Sequence, residues 1–141
     1  MLVKDMEDSS NRLSHRSSDV KKIFSFAYFE RLHIQKDFNK VFKSGLRLEN
    51  KNVRVLAYKR DDGHIVRRLG LVTPKKVGTA VVRNRTKRRL REIFRTNKHL
   101  MEPGLDLIFV SKRETASLDC NSLKTIILGL LKGAKLYTGL E

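Results

Sequence analysis

A densely basic segment with helical spacing places the strongest constraint on the fold of this chain. Between Lys75 and Arg95, nine of the 31 basic residues fall within 21 positions, and Glu92 is the only acid. At 100° per residue, the predicted helix has one largely apolar face and one polar, basic face. The two faces consist of Thr86, Leu90, Ile93 and Phe94, and of Asn84, Arg88, Arg91 and Arg95. The apolar face can therefore pack on a core while the basic face binds an anion.

The arrangement of charge within this segment favours an anionic partner. Exposed helix faces usually mix positive and negative residues, so that charges four positions apart attract each other. Here neighbouring basic residues mostly repel one another; they are Arg85, Lys87, Arg88, Arg89 and Arg91. A solvated surface helix without a ligand is the structural alternative. We interpret the segment as a helix that binds nucleic acid.

The composition is that of one strongly cationic domain. The chain has 141 residues, of which 40% are hydrophobic, and this suffices for a single modest core. The formal net charge is +16, and residues 21–141 carry 28 basic and 11 acidic side chains. The predicted partner is therefore a polyanion, and the clustering of arginine favours RNA or DNA over an anionic membrane.

Cysteine content and hydropathy narrow the class of protein further. Cys120 is the only cysteine, so neither an intramolecular disulfide nor a cysteine-based zinc site can form, and a reducing cytoplasm is the expected location. The longest aliphatic stretch, at 126–131, is much shorter than the roughly 20 residues of a membrane-spanning helix. Acidic residues near the N-terminus argue against a signal peptide. We expect a protein without a membrane partner.

Hydrophobic periodicity predicts a domain at residues 23–141 behind a disordered, serine-rich tail at residues 1–22. The predicted elements are a helix from about 36 to 44 that ends at Gly45, a strand at 52–59, a turn at 60–63, a second hairpin arm at 66–73, the basic helix from after Gly78 to 97–100, a strand at 105–110, and an amphipathic helix from 119–122 to 133. The order αββ(β)αβα indicates an α+β fold with one β-α-β crossover.

No catalytic constellation emerges from the sequence. The histidines lack the i, i+4 spacing of a helical metal pair; they are His15, His33, His64 and His99. Asp61 and Asp62 precede Gly63, a pattern typical of a turn. Cys120 has no obvious partner base in the sequence. We therefore predict no catalytic residue and no metal site in the protein itself.

The internal order of the basic segment resembles the signature of the bacterial ribonuclease P protein subunit. The matching residues are Arg83-Asn84-Arg85, Lys87, Arg88 and Arg91-Glu92, directly behind Lys75-Lys76-Val77-Gly78. Further matches are Arg31-Leu32, Asp37-Phe38, Lys40-Val41-Phe42, Gly45, Leu69-Gly70-Leu71-Val72, Pro103-Gly104 and Asp106-Leu107-Ile108. The resemblance covers about residues 26–136.

Membership of that family implies a fold and a function. The implied fold is a single-domain, two-layer α+β sandwich whose β-α-β unit has a left-handed crossover, an exception to the usual right-handed rule. The implied function is to bind the catalytic RNA of ribonuclease P and the 5′ leader of precursor tRNA, as a subunit of this endoribonuclease. The RNA subunit, with Mg²⁺ bound mainly by that RNA, would perform the hydrolysis. No DNA specificity is expected.

The resemblance also implies site residues. The residues that match the motif for binding the catalytic RNA are Arg83, Asn84, Arg85, Lys87, Arg88 and Arg91, and the lysines that extend the same surface are Lys75 and Lys76. Phe38 and Phe42 match the aromatic positions of the leader-binding cleft, with Tyr58 further along the first long strand. Bases stack on such rings with little sequence preference. The alternative is that Phe38 and Phe42 only fill the core.

Two features depart from the family pattern. Where relatives often place aromatic residues in the first long strand, this chain has Val53, Val55 and Leu56, so stacking of leader bases is expected to be reduced or rearranged. Pro74 stands where serine or another flexible residue is common, and we expect it to stiffen the loop before Lys75.

The sequence leaves two other functions open. A general or ribosomal RNA-binding protein without a processing role would use the same basic helix as an electrostatic anchor, and would bind unrelated structured RNAs with similar affinity. A nuclease that acts without RNA would need carboxylates or histidines grouped around a metal ion.

Overall fold

A computed structural model describes residues 26–138, and the tail predicted at residues 1–22 lies outside them. The elements, in chain order, are α1 (Gln35–Ser44), β1 (Leu46–Glu49), β2 (Val53–Lys59), β3 (Arg68–Val72), α2 (Ala80–Asn97), β4 (Leu105–Ser111), α3 (Arg113–Ala116) and α4 (Cys120–Gly133). Short 3₁₀ turns cover Tyr28–Glu30, Lys75–Val77 and Lys98–Leu100. The predicted α+β class is confirmed. The short helix α3 was not predicted.

The strands of the described residues form one mixed sheet in the order β1-β2-β4-β3. β1 pairs antiparallel with β2 and β2 antiparallel with β4, whereas β3 and β4 are parallel. β4 is central because its apolar side chains are buried on both faces of the sheet. The predicted hairpin between the strands at 52–59 and 66–73 is therefore wrong, since β4 lies between β2 and β3.

The hairpin partner of β2 is β1, a strand that the sequence pattern does not predict. β1 is short and mostly exposed, so it lacks the alternating apolar signal of a half-buried strand. It follows α1 directly because Gly45 permits a close approach between the two elements. A Cβ at Gly45 would collide with the carbonyl oxygen of Val41 and lie 3.1 Å from that of Ala57. The helix ends at Ser44, as predicted.

The two faces of the sheet pack against different helices. One core joins β2 and β4 to α2 and α4; its members include Val53, Val55, Ala57, Leu105, Leu107, Phe109, Leu90, Ile93, Phe94, Leu123, Ile127 and Leu131. On the opposite face, Val41 of α1 packs with Leu32, Leu56 and Ile108. Because strand side chains alternate between faces, β2 and β4 contribute to both cores. The predicted apolar stripe of the basic helix is confirmed, including buried Thr86.

α2 connects the parallel strands β3 and β4, so the predicted β-α-β crossover is confirmed, while its left hand stays a prediction. The helix begins after Gly78, where φ is +155° and a Cβ would lie 2.8 Å from Cγ1 of Val82. Thr79 caps the helix, because its Oγ1 accepts a hydrogen bond from the Val82 N–H at 3.3 Å. The end at Asn97 agrees with the predicted limit.

Candidate nucleic-acid interface

The residues predicted to bind the catalytic RNA lie on α2 and on the 3₁₀ turn before it. The exposed ones are Lys75, Lys76, Asn84, Arg85 and Arg88, and the half-buried ones are Arg83, Lys87 and Arg91. The half-buried residues are spaced four apart, so they form one row beside the buried stripe of the helix. Because that stripe is fixed to the sheet, the core sets the direction in which the basic residues face.

Two arginines of α2 hydrogen-bond to backbone carbonyls. Arg83 donates from Nη1 to the Gly78 carbonyl oxygen at 3.0 Å, which holds the turn before the helix. Arg89 donates from Nη1 to the Leu118 carbonyl oxygen at 2.6 Å, which ties α2 to the segment before α4. These contacts offset part of the repulsion that the sequence predicts for this segment. The bond to Gly78 also gives Arg83 a structural contact in addition to its predicted role in binding RNA.

The acid within the basic segment is already paired. Glu92 accepts a charged hydrogen bond from Arg95, and this bond lowers the pKa of the Glu92 carboxyl. Within residues 26–138, no lysine or arginine of the predicted RNA-binding set forms an ion pair with a carboxylate. The positive charge of that set is therefore available to an external polyanion.

Arg31 joins this basic surface from a different element. Its guanidinium carbon lies 4.8 Å from the centroid of the Phe26 ring. Burial lowers the pKa of Arg91, and the positive charges of Arg31 and Arg88 lower it further. Spacing along α2 cannot reveal this neighbour, because backbone pairing with Leu69 of β3 brings Arg31 to the surface. No site role is predicted for Arg31 from the sequence.

The three aromatic residues predicted to bind the leader share the sheet face that carries α1. Phe38 lies over Gly70 of β3, where a Cβ would be 2.6 Å from its Cζ. The ring centroids of Phe38 and Phe42 are 6.5 Å apart, with 23° between the planes. Phe38 and Tyr58 pack partly against the apolar cluster under α1, whereas Phe42 is 50% exposed. The alternative that both rings only fill the core therefore applies in part to Phe38, and it does not suit the half-exposed Phe42.

The structure shows where the residues that depart from the family pattern lie, both in β2 and at Pro74. Val53 and Val55 point into the core shared with α2 and α4, so only Leu56 of the three non-aromatic residues faces α1. Pro74 has φ of −64° and accepts a hydrogen bond from the Val77 N–H at 3.0 Å, which closes the 3₁₀ turn. The aromatic surface of the cleft is therefore provided mainly by α1 rather than by β2.

A largely buried ion-pair network fixes α1 to the sheet. Asp106 of β4 is 2% exposed and accepts hydrogen bonds from Arg60 at 2.6 Å and from two nitrogens of Arg68 at 2.8 Å. Arg68 also reaches Asp37 of α1 at 3.2 Å. Hydrogen bonding to Asp106 raises the pKa of Arg68, so the guanidinium stays charged. The network therefore joins α1 to β3 and β4 beside the cleft.

The adjacent acids Asp61 and Asp62 lie in the loop between β2 and β3. Asp62 accepts a hydrogen bond from the His64 N–H at 2.9 Å, which lowers the pKa of Asp62, and Gly63 has φ of +83°. Asp62 and Gly63 thus form a bend, and no backbone hydrogen bond closes the turn predicted at residues 60–63. Among residues 26–138, His, Cys, Asp and Glu form no group of three or more that could hold a metal ion. No helix in that range is long and apolar enough to cross a membrane.

Comparison with known proteins gives this arrangement a family. The sequence profile of the family named Ribonuclease P matches residues 26–135. The chain belongs to the ribonuclease P protein family. The ribonuclease P protein component of Thermotoga maritima is 37% identical over 112 residues, which cover 77% of this chain and 94% of that protein. The one from Finegoldia magna is 36% identical over 104 residues, which cover 74% and 89%.

Solved structures of ribonuclease P proteins share this fold. The Staphylococcus aureus protein has a TM-score of 0.68 at 27% identity, and the match covers 77% of this chain and 98% of that one. The Thermotoga maritima protein has a TM-score of 0.65 at 36% identity, with coverage of 74% and 96%. This chain is thus a protein subunit of ribonuclease P that acts in tRNA processing, as part of a ribonucleoprotein.

Proposed function

We propose that this subunit contacts the catalytic RNA with the basic surface of α2 and binds the 5′ leader of precursor tRNA in the cleft between α1 and the sheet. The observation that carries the proposal is the position of the Lys75–Val77 turn. Lys76 lines a cavity with Arg54 and Val110 on the α1 side of the sheet, and α2 begins just after the turn. One positively charged surface therefore runs from α2 into the cleft.

The surface of α2 has the chemistry of a phosphate-binding face. Guanidinium groups bind two phosphate oxygens at once, and the Asn84 amide can bond to sugar, phosphate or a base edge. If about six phosphates are neutralised, the logarithm of the affinity falls with the logarithm of salt concentration at a slope of about −4. Backbone contacts of this kind carry no base sequence, so we propose no specificity for DNA.

The cleft beside α1 provides an exposed ring for an unpaired base. Phe42 is 50% exposed, and stacking of a base on such a ring contributes about 1–3 kcal/mol. Phe38 is held against Gly70, so less of its ring faces solvent, and Tyr58 lies on the same face. Stacking without base-specific hydrogen bonds would allow leaders of different sequence to bind.

We assign the hydrolysis to the RNA subunit with Mg²⁺. The proposed interface consists of lysine, arginine, asparagine and aromatic side chains, whereas Mg²⁺ is bound mainly through carboxylates, water and phosphate oxygens. This set of protein groups does not fit a resident magnesium ion, which makes RNA phosphates the expected ligands. The subunit would screen repulsion between two RNA molecules and so lower the magnesium requirement. A cytoplasmic location agrees with this role and with the single cysteine, Cys120.

Reconstitution with the cognate RNA tests the proposal. At limiting Mg²⁺, the subunit is expected to increase cleavage of precursor tRNA, and Arg83→Ala with Arg88→Ala is expected to weaken assembly while circular dichroism shows a folded protein. Lys124→Ala with Lys132→Ala removes the same charge from α4 and serves as the control. Absence of stimulation by the unmodified protein would contradict the proposal. Cleavage without RNA would assign catalysis to the protein, and equal affinity for unrelated structured RNAs would favour a general RNA-binding role.

A further inference from the structure

A charged groove lies at the end of the cleft, next to the Lys75–Val77 turn. Its volume is about 550 Å³, which suits a segment of one strand rather than a duplex. Val110 lines the groove and also packs against the apolar cluster under α1, so the groove continues the cleft. Its charged lining residues are Arg54, Lys76, Lys112, Arg113, Glu49 and Glu114. Four positive and two negative side chains therefore face one another around this groove.

Glu49, the last residue of β1, holds the cations on one side of the groove. Its carboxylate lies 2.6 Å from Lys112 Nζ, 3.2 Å from Arg54 Nε and 3.3 Å from Arg47 Nε. Hydrogen bonds from Lys112 and Arg54 lower the pKa of Glu49 to about 2, so the carboxylate is ionised at any pH at which RNA is processed. Lys76 and Arg113 form no ion pair within residues 26–138.

The ion pair between Glu49 and Arg54 is poorly formed. Arg54 Nη2 donates to Oε2 at 3.3 Å, which is long for a charged hydrogen bond. Arg54 Nε is buried and, among the described residues, has no acceptor in hydrogen-bonding geometry. A buried donor without an acceptor costs free energy. The guanidinium therefore retains binding capacity that the Glu49 carboxylate does not use.

We propose that Glu49 determines the affinity and specificity of the groove, because its carboxylate occupies the place that a phosphodiester of the leader takes on Arg54 and Lys112. The inference rests on the proposed function of the cleft as the leader-binding site. A phosphodiester has two unesterified oxygens and can bind the guanidinium bidentately, whereas Glu49 leaves Arg54 Nε without an acceptor. Binding of the leader must displace Glu49, so isolated anions bind weakly and a strand anchored by stacking on Phe42 binds better.

The substitution Glu49→Gln separates this role from a structural one. It removes the carboxylate that pairs with Arg54 and Lys112, the two cations it holds in the groove, and with it the negative charge that repels a phosphate in the same place. We expect cleavage of a precursor with a long leader to increase in kcat/KM by about threefold to tenfold under subsaturating, single-turnover conditions. The slope of affinity against salt should become more negative by about 0.7 for each phosphate newly engaged. A precursor with a one-nucleotide leader should show no change.

Glu114→Gln is the matched control. It makes the same change of charge in the same groove, but Glu114 forms no ion pair with Arg54 or Lys112 in the described structure. The reconstituted holoenzyme is therefore assayed with unmodified subunit, E49Q and E114Q, each with long-leader and one-nucleotide-leader precursors. Equal effects of E49Q and E114Q, or equal effects on both precursors, would overturn the inference.

Lys112→Gln gives a second, independent test. It should lower kcat/KM for the long leader, and in combination with E49Q it should abolish most of the gain. If it lowers only the melting temperature, the cluster is structural and the inference is wrong. Failure of the proposed function is a different result: the unmodified holoenzyme would then show no dependence on leader length.

Discussion

The basic surface of α2 and the cleft beside α1 differ in how the protein compensates their charge. Among the ion pairs described for residues 26–138, the one that involves α2 joins Glu92 to Arg95. The predicted RNA-binding residues of this helix face outward. In the cleft, arginines are matched with carboxylates, as Arg68 is with Asp106 and Arg54 with Glu49. An uncompensated surface attracts any polyanion, whereas a compensated one binds a ligand that offers better contacts.

The largest effect should come from breaking the network that fixes α1. Asp106→Asn leaves Arg60 and Arg68 without the buried carboxylate that pairs them, so we expect a loss of about 3–5 kcal/mol in the free energy of unfolding. Asp37→Asn, in the same network but more exposed, should cost less than about 1 kcal/mol. Urea unfolding of both variants measures the difference. Small and equal losses of stability in both variants would show that burial does not make the charges of the cleft more important to the fold than the exposed charges of α2.

The next effect concerns the space that the sheet leaves for Phe38. Gly70→Ala places a Cβ against the Phe38 ring, and overpacking of this kind costs about 1–3 kcal/mol. Because the ring must move, affinity for the leader should also fall. Gly129→Ala is the control, since a Cβ there meets nothing within 4 Å, and it should be neutral or stabilising. Thermal unfolding and leader binding check both variants; full affinity in G70A would remove Phe38 from the binding surface.

A smaller effect tests the outward charge of α2. Arg88→Ala should weaken binding of the catalytic RNA by about threefold to tenfold and reduce the salt slope by about 0.7–0.9, because one phosphate contact is lost. Arg95→Ala should have less effect, since Arg95 is partly engaged with Glu92. Titrations at several salt concentrations measure both. A larger effect for R95A would mean that internal pairing does not decide which cations bind RNA.

The smallest effect is a pH dependence from Glu49. Its pKa is about 2 in the folded protein and ordinarily 4.5, so the folded state favours the ionised carboxylate. The stability it contributes is therefore present above pH 4.5 and is lost as the pH falls from about 4.5 to about 2. The difference in melting temperature between the unmodified protein and E49Q should shrink across that range. A constant difference would contradict the ion pairs described for Glu49.

Much of this fold could be predicted, but its sheet could not. The predicted helices agree with α1, α2 and α4 within a few residues, because a 3.6-residue period and the flanking glycines Gly45 and Gly78 are local signals. The prediction of a hairpin between β2 and β3 was wrong because β2 has two edges and three other strands, β1, β3 and β4, that could pair with them. β4 occupies one edge of β2 because its mostly apolar side chains are buried on both faces at the centre of the sheet, and no local pattern near β2 indicates this pairing.

The same division applies to the candidate site. The amino-acid sequence by itself determined the basic and apolar faces of α2, the aromatic pair of α1 and the family, because these depend on residue types at fixed spacing. Only the tertiary structure decided that Arg31 joins the basic surface, that Gly70 makes room for Phe38 and that Glu49 meets Lys112 in a groove. Those contacts join residues far apart in the chain, and their geometry is set by the packing of both sheet faces rather than by any local pattern.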